Sequence, residues 1–207
     1  MANQSLGVKM SERKYTRFST EEELLKSVLR SLSYCDVYPK VSAIGGKKIV
    51  PDIDILQIQK ISQNQYRLIG YEIKLMKYNK GSKGLSWYSF YSGIGQALLY
   101  LRYGIHQTFL VLGFHENVPD DKIIDDFHNE LERKKELLKR IMGNYISIGL
   151  YLYEGGSILP IIRASSDFYL FDDELRLLSQ ELLQGKFTVN FPCNSSCERS
   201  LNSSSKR

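Results

Sequence analysis

Residues 108–114, TFLVLGF, form an uncharged and almost wholly apolar run of strand length. Side chains alternate across a strand, so such a run is apolar on both faces and folds only where both are covered. We therefore expect it to be a central strand of a sheet with helices packed against it. The segments before it are also extended: CDVYPKVSAI, a Gly45-Gly46 turn, KIVPDIDILQI, a polar SQNQ turn, and YRLIGYEIKL. Short turns between such runs predict an antiparallel meander of three strands.

Helices are expected around this sheet. Ser19-Thr20-Glu21-Glu22-Glu23 offers overlapping capping boxes, Ser19 with Glu22 or Thr20 with Glu23. Leu24, Leu25, Val28, Leu29 and Leu32 follow at helical spacing. The second half of WYSFYSGIGQALLYLRYG reads as a helix ending at Gly104. Asp120 to Met142 reads as a long helix whose Ile124, Phe127, Leu131, Leu138 and Ile141 share a face. Its acidic start and basic end suit the helix dipole, so its RKK run reads as a solvated terminus. Strands at ISIGLYLY and SILPIIR and a helix over DDELRLLSQELL complete an α/β chain.

The 207 residues suit a single domain over 19–184, preceded by a basic arm, 1–18, and followed by a polar tail, 185–207, expected to be disordered. Hydrophobic residues make up 43% and charged residues 25%, which argues for an ordinary globular core. No stretch approaches the roughly 20 apolar residues that span a bilayer, and the N-terminal segment lacks the apolar block of a signal peptide. The expectation is a protein without membrane contact, working inside a cell. Cys35, Cys193 and Cys197 are too few for a disulfide framework, and Cys193 with Cys197 supplies only half of a zinc site.

Charge is unevenly spread. Residues 1–104 carry a net +8, residues 105–184 a net −6, and the last 23 residues +3. Between positions 51 and 104 the only acids are Asp52, Asp54 and Glu72. On a strand Asp52 and Asp54 share one face, with Ile53 and Ile55 opposite; on the next strand Glu72 and Lys74 share a face, with Tyr71, Ile73 and Leu75 opposite. If the two strands pair as a hairpin, carboxylates and a lysine meet on one side of the sheet. Two chemistries fit. One is a surface cross-strand ion pair, common and weakly stabilising. The other is a site for a hard divalent cation, which takes one or two carboxylates plus water and substrate phosphate.

Pro51-Asp52, a gap, then Glu72-Ile73-Lys74 resembles the motif of the PD-(D/E)XK nuclease superfamily, which includes type II restriction enzymes, archaeal Holliday junction resolvases and RecB-like nucleases. The order helix, three-strand meander, helix, strand from Ser19 to Phe114 is similar to that family's core. The likeness implies a restriction-endonuclease-like α-β-β-β-α-β core with a mixed central sheet flanked by helices, here extended by C-terminal strands and a helix. Many members carry a glutamate on the first helix. At about 100° per residue Glu21 falls on the apolar face, either as a capping residue or as that extra ligand. Gln96-Ala-Leu-Leu-Tyr100 resembles the helical Q-x-x-x-Y of RecB-like members, and its i, i+4 spacing puts both side chains on one face. Asp54 departs from the pattern. It reads equally as a further ligand, a partner for Lys74, or a solvated neighbour. The size and the Ile/Tyr/Lys-rich style also resemble small nucleases of spindle-shaped archaeal viruses, which would place the protein in a host cytoplasm.

The resemblance implies Mg²⁺ or Mn²⁺ held by Asp52, Glu72 and the Ile73 backbone carbonyl, with Glu21 direct or through water. Lys74 would position the attacking water, and Gln96 and Tyr100 would orient the site. DNA grip is expected from Lys77, Lys80 and Lys83 for phosphates and from Tyr78, Trp87, Tyr88 and Tyr91 for unpaired bases, on a loop that Gly81 and Gly84 make mobile. Trp87 reads equally as the core side of a helix entry. His106, His115 and His128 are dispersed and read as turn or surface residues. The implied activity is phosphodiester hydrolysis by a structure-selective, dimeric endonuclease akin to Holliday junction resolvases. A RecB-like exonuclease and a catalytically silent DNA-binding protein are the competing expectations.

Overall fold

The computed structural model describes residues 15–32, 36–145, 147–164 and 173–190. The expectations for most of the basic arm, for the three cysteines and for residues 191–207 lie outside the described residues. In chain order the elements are β1 (Arg17–Phe18), α1 (Glu21–Ser31), β2 (Asp36–Ile44), β3 (Lys47–Ser62), β4 (Gln65–Met76), β5 (Tyr78–Asn79) and β6 (Gly84–Leu85). There follow α2 (Trp87–Leu101), β7 (Gln107–His115), α3 (Asp121–Leu138), a π-helical turn over Lys139–Tyr145, β8 (Ile148–Glu154), β9 (Ser157–Ile162), α4 (Asp173–Leu183) and β10 (Phe187–Val189).

Eight strands make one mixed, largely antiparallel sheet in the order β10-β2-β3-β4-β7-β8-β9, with β1 joined in parallel to the end of β7. β2, β3 and β4 are the expected meander, and β7 sits between β4 and β8, parallel to both. Its side chains divide by parity. Phe109 and Val111 join the cluster under α1 with Leu24, Leu25 and Val28. Leu110, Leu112 and Phe114 join the opposite cluster under α2 and α3 with Phe90, Ala97, Ile124 and Phe127. A third cluster brings Tyr100 and Ile105 together with Leu182 of α4 and with Val41, Ile53 and Leu56. Among the described residues no helix is long and apolar enough to cross a membrane.

Four expectations shift. α2 is helical from Trp87 onward rather than in its second half alone. The helix begun at Asp121 gives way to a π-helical turn at Lys139, which rotates the phase: Met142 is buried while Ile141 is exposed. Phe187–Val189, inside the supposed tail, pairs antiparallel with β2. At the other end Tyr15 and Phe18 are buried and β1 pairs with β7, so the arm joins the fold before residue 19.

The Thr20–Glu23 capping box starts α1: Thr20 Oγ1 accepts from Glu23 N–H at 3.2 Å, and Glu23 Oε2 accepts from Ser19 N–H at 2.8 Å. Leu24, one residue on, is fully buried and locks the helix to the sheet. Leu24→Ala should cost about 2–5 kcal/mol, read as a fall of about 5–15 °C in thermal midpoint by circular dichroism; an unchanged midpoint would show that α1 does not depend on this contact.

Candidate active site

The site lies where β3 and β4 part. Their pairing runs from Ser62↔Gln65 to Ile55↔Tyr71 and stops, although β3 continues beside β2 through Val41↔Ile53 and β4 continues beside β7 to Met76↔Phe114. Past the fork, edge N–H groups of β4 need other acceptors. Asp54 Oδ2 accepts from Ile73 N–H at 2.8 Å, and Glu21 Oε1, from the start of α1, accepts from Leu75 N–H at 3.4 Å. Glu21 is thus turned to the sheet, while Glu23 does the capping.

As expected from strand alternation, Glu72 and Lys74 share the α2 face of β4, while Tyr71, Ile73 and Leu75 join the cluster under α1. Glu72 is 2% exposed, and its Oε1 lies 2.6 Å from Lys74 Nζ, which also stands 3.9 Å from Glu21 Oε2. Tyr100, fully buried, accepts from Asp54 N–H at 3.1 Å and donates to the Glu72 carboxylate, with the Asp52 carbonyl oxygen 3.0 Å away. Lys40 reaches across from β2 to ion-pair with Asp54. Two glycines permit this density. A Cβ at Gly93 of α2 would stand 2.9 Å from Lys74 Cγ, and one at Gly70 would stand 2.9 Å from the Tyr100 ring.

The structure gives the two aspartates different surroundings. Asp54, not Asp52, is buried and acts electrostatically on Glu72 and Tyr100. Asp52 contributes its carbonyl, and burial holds the nearby Tyr103 hydroxyl above its ordinary pKa against the Val50 carbonyl and Arg102, with the Asp52 charge adding the smallest share. Strand parity alone does not separate them. Five successive residues from Ile53 to Gln57 are buried, and only Asp54 lies within that run. Gln96 is half-buried on α2, and among the described residues its side chain has no hydrogen-bond partner. Lys40, Gly70 and Gly93 went unseen in the sequence. Only their spatial neighbours give them a role.

The lysine-bearing segment forms a β5–β6 hairpin, with Lys77, Lys80 and Lys83 exposed. Its aromatic residues divide. Tyr78 packs on the core, and Trp87 packs on Phe90 and Phe127 at 5.3 and 5.2 Å between centroids, with Lys134 Nζ 5.1 Å from its own ring centre. Tyr88 and Tyr91 are the exposed ones, at 77% and 63%. From Ile73 to His115 the chain contains no Asp or Glu. The RKK run is the solvated terminus expected, each cation paired with Glu130 or Glu132. His106 and His115 accept backbone N–H groups of Leu68 and Asn117, whereas His128 is half-buried against Glu154 at 2.6 Å.

The electrostatics follow from burial. Removal from water, reinforced by the Asp54 charge, raises the Glu72 pKa to about 7 against the pull of Lys74 and Tyr100. Burial works against the Lys74 ammonium, but the Glu72 carboxylate, helped by Glu21 and Asp54, outweighs it and raises that pKa. The Tyr100 hydroxyl is pushed well up by burial and by both carboxylates, so it serves as a neutral donor. Among the described residues no group of three His, Cys, Asp or Glu stands ready to hold a metal ion. The donor set still suits a hard cation with water-rich coordination: two buried carboxylates, all-oxygen, with the Asp54 charge raising the cost of ionising Glu72. The chain matches no protein-family model and no curated protein sequence.

An acid whose pKa rises on folding takes up protons as the chain folds. Its ionisation therefore opposes the native state, progressively from pH 4.5 to about 7 and fully above. Glu72→Gln, neutral throughout, should gain thermal midpoint relative to the parent by about 3 °C or more between pH 5 and pH 8 in EDTA. A difference that does not change with pH would show that Glu72 ionises freely.

Proposed function

We propose that this protein is a divalent-cation-dependent DNA nuclease, a structure-selective endonuclease of restriction-endonuclease-like architecture. The observation that carries the reading is the convergence of Asp54, Glu72 and Lys74 at the fork between β3 and β4, with Glu21 and Tyr100 around them. A surface ion pair does not account for it. Glu72 is buried, and the carboxylates crowd one another.

Asp54 and Glu72 are the carboxylates that would hold Mg²⁺ or Mn²⁺, with the Ile73 carbonyl and Glu21 as further oxygen donors. When bound, the cation supplies charge neutralisation at the phosphate and lowers the pKa of water. Lys74 is cationic, held in place by Glu72 and by the closeness of Gly93, and orients the attacking water while offsetting charge on the phosphate. Tyr100 keeps Glu72 fixed as a neutral donor. Hydrolysis forms one bond between phosphorus and the water oxygen and breaks one ester P–O bond, and the leaving oxygen takes up a proton. Grip on the polyanion comes from Lys77, Lys80 and Lys83 beside exposed Tyr88 and Tyr91, in a stretch with no acids to repel phosphate.

Linear duplex, single-stranded, flap and four-way-junction DNA should be incubated with the full chain and Mg²⁺ or EDTA. Cleavage should require the cation and favour branched substrates. Asp54→Asn and Lys74→Ala should each lower the rate at least about 100-fold while leaving DNA affinity in EDTA nearly unchanged, and Asp52→Asn should retain most activity. Undiminished cleavage by both Asp54→Asn and Lys74→Ala would remove the proposal's basis.

Replacing Lys77, Lys80 and Lys83 together by Ala should reduce the slope of log affinity against log salt by about 2–3. An unaltered slope would place phosphate contacts elsewhere.

A further inference from the structure

Lys40 belongs to no part of the motif, yet it has the most distorted setting near the fork. Its φ of +52° lies in the left-handed region that long side chains seldom adopt. The pairing of β2 with β3 shifts register just beyond it, between Val41 and Ala43. Its carbonyl accepts from Asn190 N–H at 2.9 Å, which ties this bend to the end of β10. Strained backbone persists where the surroundings over-determine it, and such positions cluster at functional sites.

The side chain from this bend reaches Asp54 Oδ1, while the other carboxylate oxygen holds Ile73 N–H. Each central carboxylate therefore has its own lysine, Lys40 for Asp54 and Lys74 for Glu72. The two lysines differ in accessibility. The Lys74 side chain is 13% exposed and confined beneath Gly93, whereas that of Lys40 is 34% exposed. A divalent cation drawn to the Asp54 and Glu72 oxygens meets the Lys40 ammonium on one of them. Two positive groups on one carboxylate oxygen repel, and the more accessible ammonium is the one free to leave.

We propose that Lys40 is a positioning residue, the internal counter-ion of Asp54, which holds the carboxylate in place and is displaced when a divalent cation binds. The proposal rests on the cation site of the nuclease reading. It adds that cation affinity is set by competition with a residue of this chain, because binding must first break the Lys40–Asp54 pair.

The test is a calorimetric titration of EDTA-stripped full-length protein with Mn²⁺ and no DNA. Lys40→Gly accepts the left-handed backbone, and Lys40→Met keeps the aliphatic stem; circular dichroism identifies which of them keeps the native fold, and that variant decides. With the competitor gone, Mn²⁺ should bind about tenfold tighter or more, and Lys40→Arg should return affinity toward the parent value. Structural damage would loosen the site, so a gain in affinity separates the two explanations. Equal or weaker Mn²⁺ binding in the variants, with clear binding by the parent, overturns the displacement proposal and leaves the nuclease reading standing. No Mn²⁺ binding by parent or variants overturns both.

Discussion

The parting of β3 from β4 beyond Ile55↔Tyr71 is the constraint on which the site depends. A buried backbone N–H must find an acceptor, and at Ile73 and Leu75 those acceptors are side-chain carboxylates from two other elements. The same hydrogen bonds that complete the sheet therefore fix Asp54 and Glu21 in direction and place. Neither strand is loose at the fork. β2 holds β3 on its far side and β7 holds β4, so the opening is framed by the most thoroughly paired part of the molecule.

The fork also sets the electrostatics. Apolar residues flank it on both faces, Ile73 and Val111 toward α1 and Leu110 toward α2, so the buried Glu72 and Asp54 are poorly screened. Three carboxylates, Asp54, Glu72 and Glu21, face two lysines, Lys40 and Lys74. Each carboxylate is partnered, yet burial first and the Asp54 charge second hold the Glu72 proton up to about pH 7.

What the sequence made legible was local. The apolar run TFLVLGF needs cover on two sides, the three extended segments have short turns between them, and the Thr20–Glu23 box names its own helix start. Parity on β4 correctly paired Glu72 with Lys74. Parity on β3 could not separate Asp52 from Asp54, because both sit on the same phase and only the point where the strands part distinguishes them. Residues of α2 carry no charge, so the helix has no polar face from which to infer that Trp87 turns inward and Tyr88 outward. Ile141 was misplaced because a π-helical turn breaks the helical period, and Phe187–Val189 because three residues among polar neighbours carry too little pattern to compete with the strand edge they join.

The segment from Ser19 to Phe114 holds the residues of the fork, but the structural unit does not end there. Tyr100, whose hydroxyl joins Asp54 and Glu72, lies in a cluster with Leu182 of α4 and Ile105. Lys40, which meets Asp54, is tied through its carbonyl to Asn190 just beyond β10, and Gly45 N–H donates to the Lys186 carbonyl at 2.8 Å on the same edge. On the other side β8 pairs with β7, and α3 packs Phe127 against Phe114 and Trp87. The described part of the second half of the chain thus packs and pairs around the fork. Leu182 backs Tyr100 where its hydroxyl meets Glu72, and Asn190 holds the carbonyl of the bend from which Lys40 reaches Asp54.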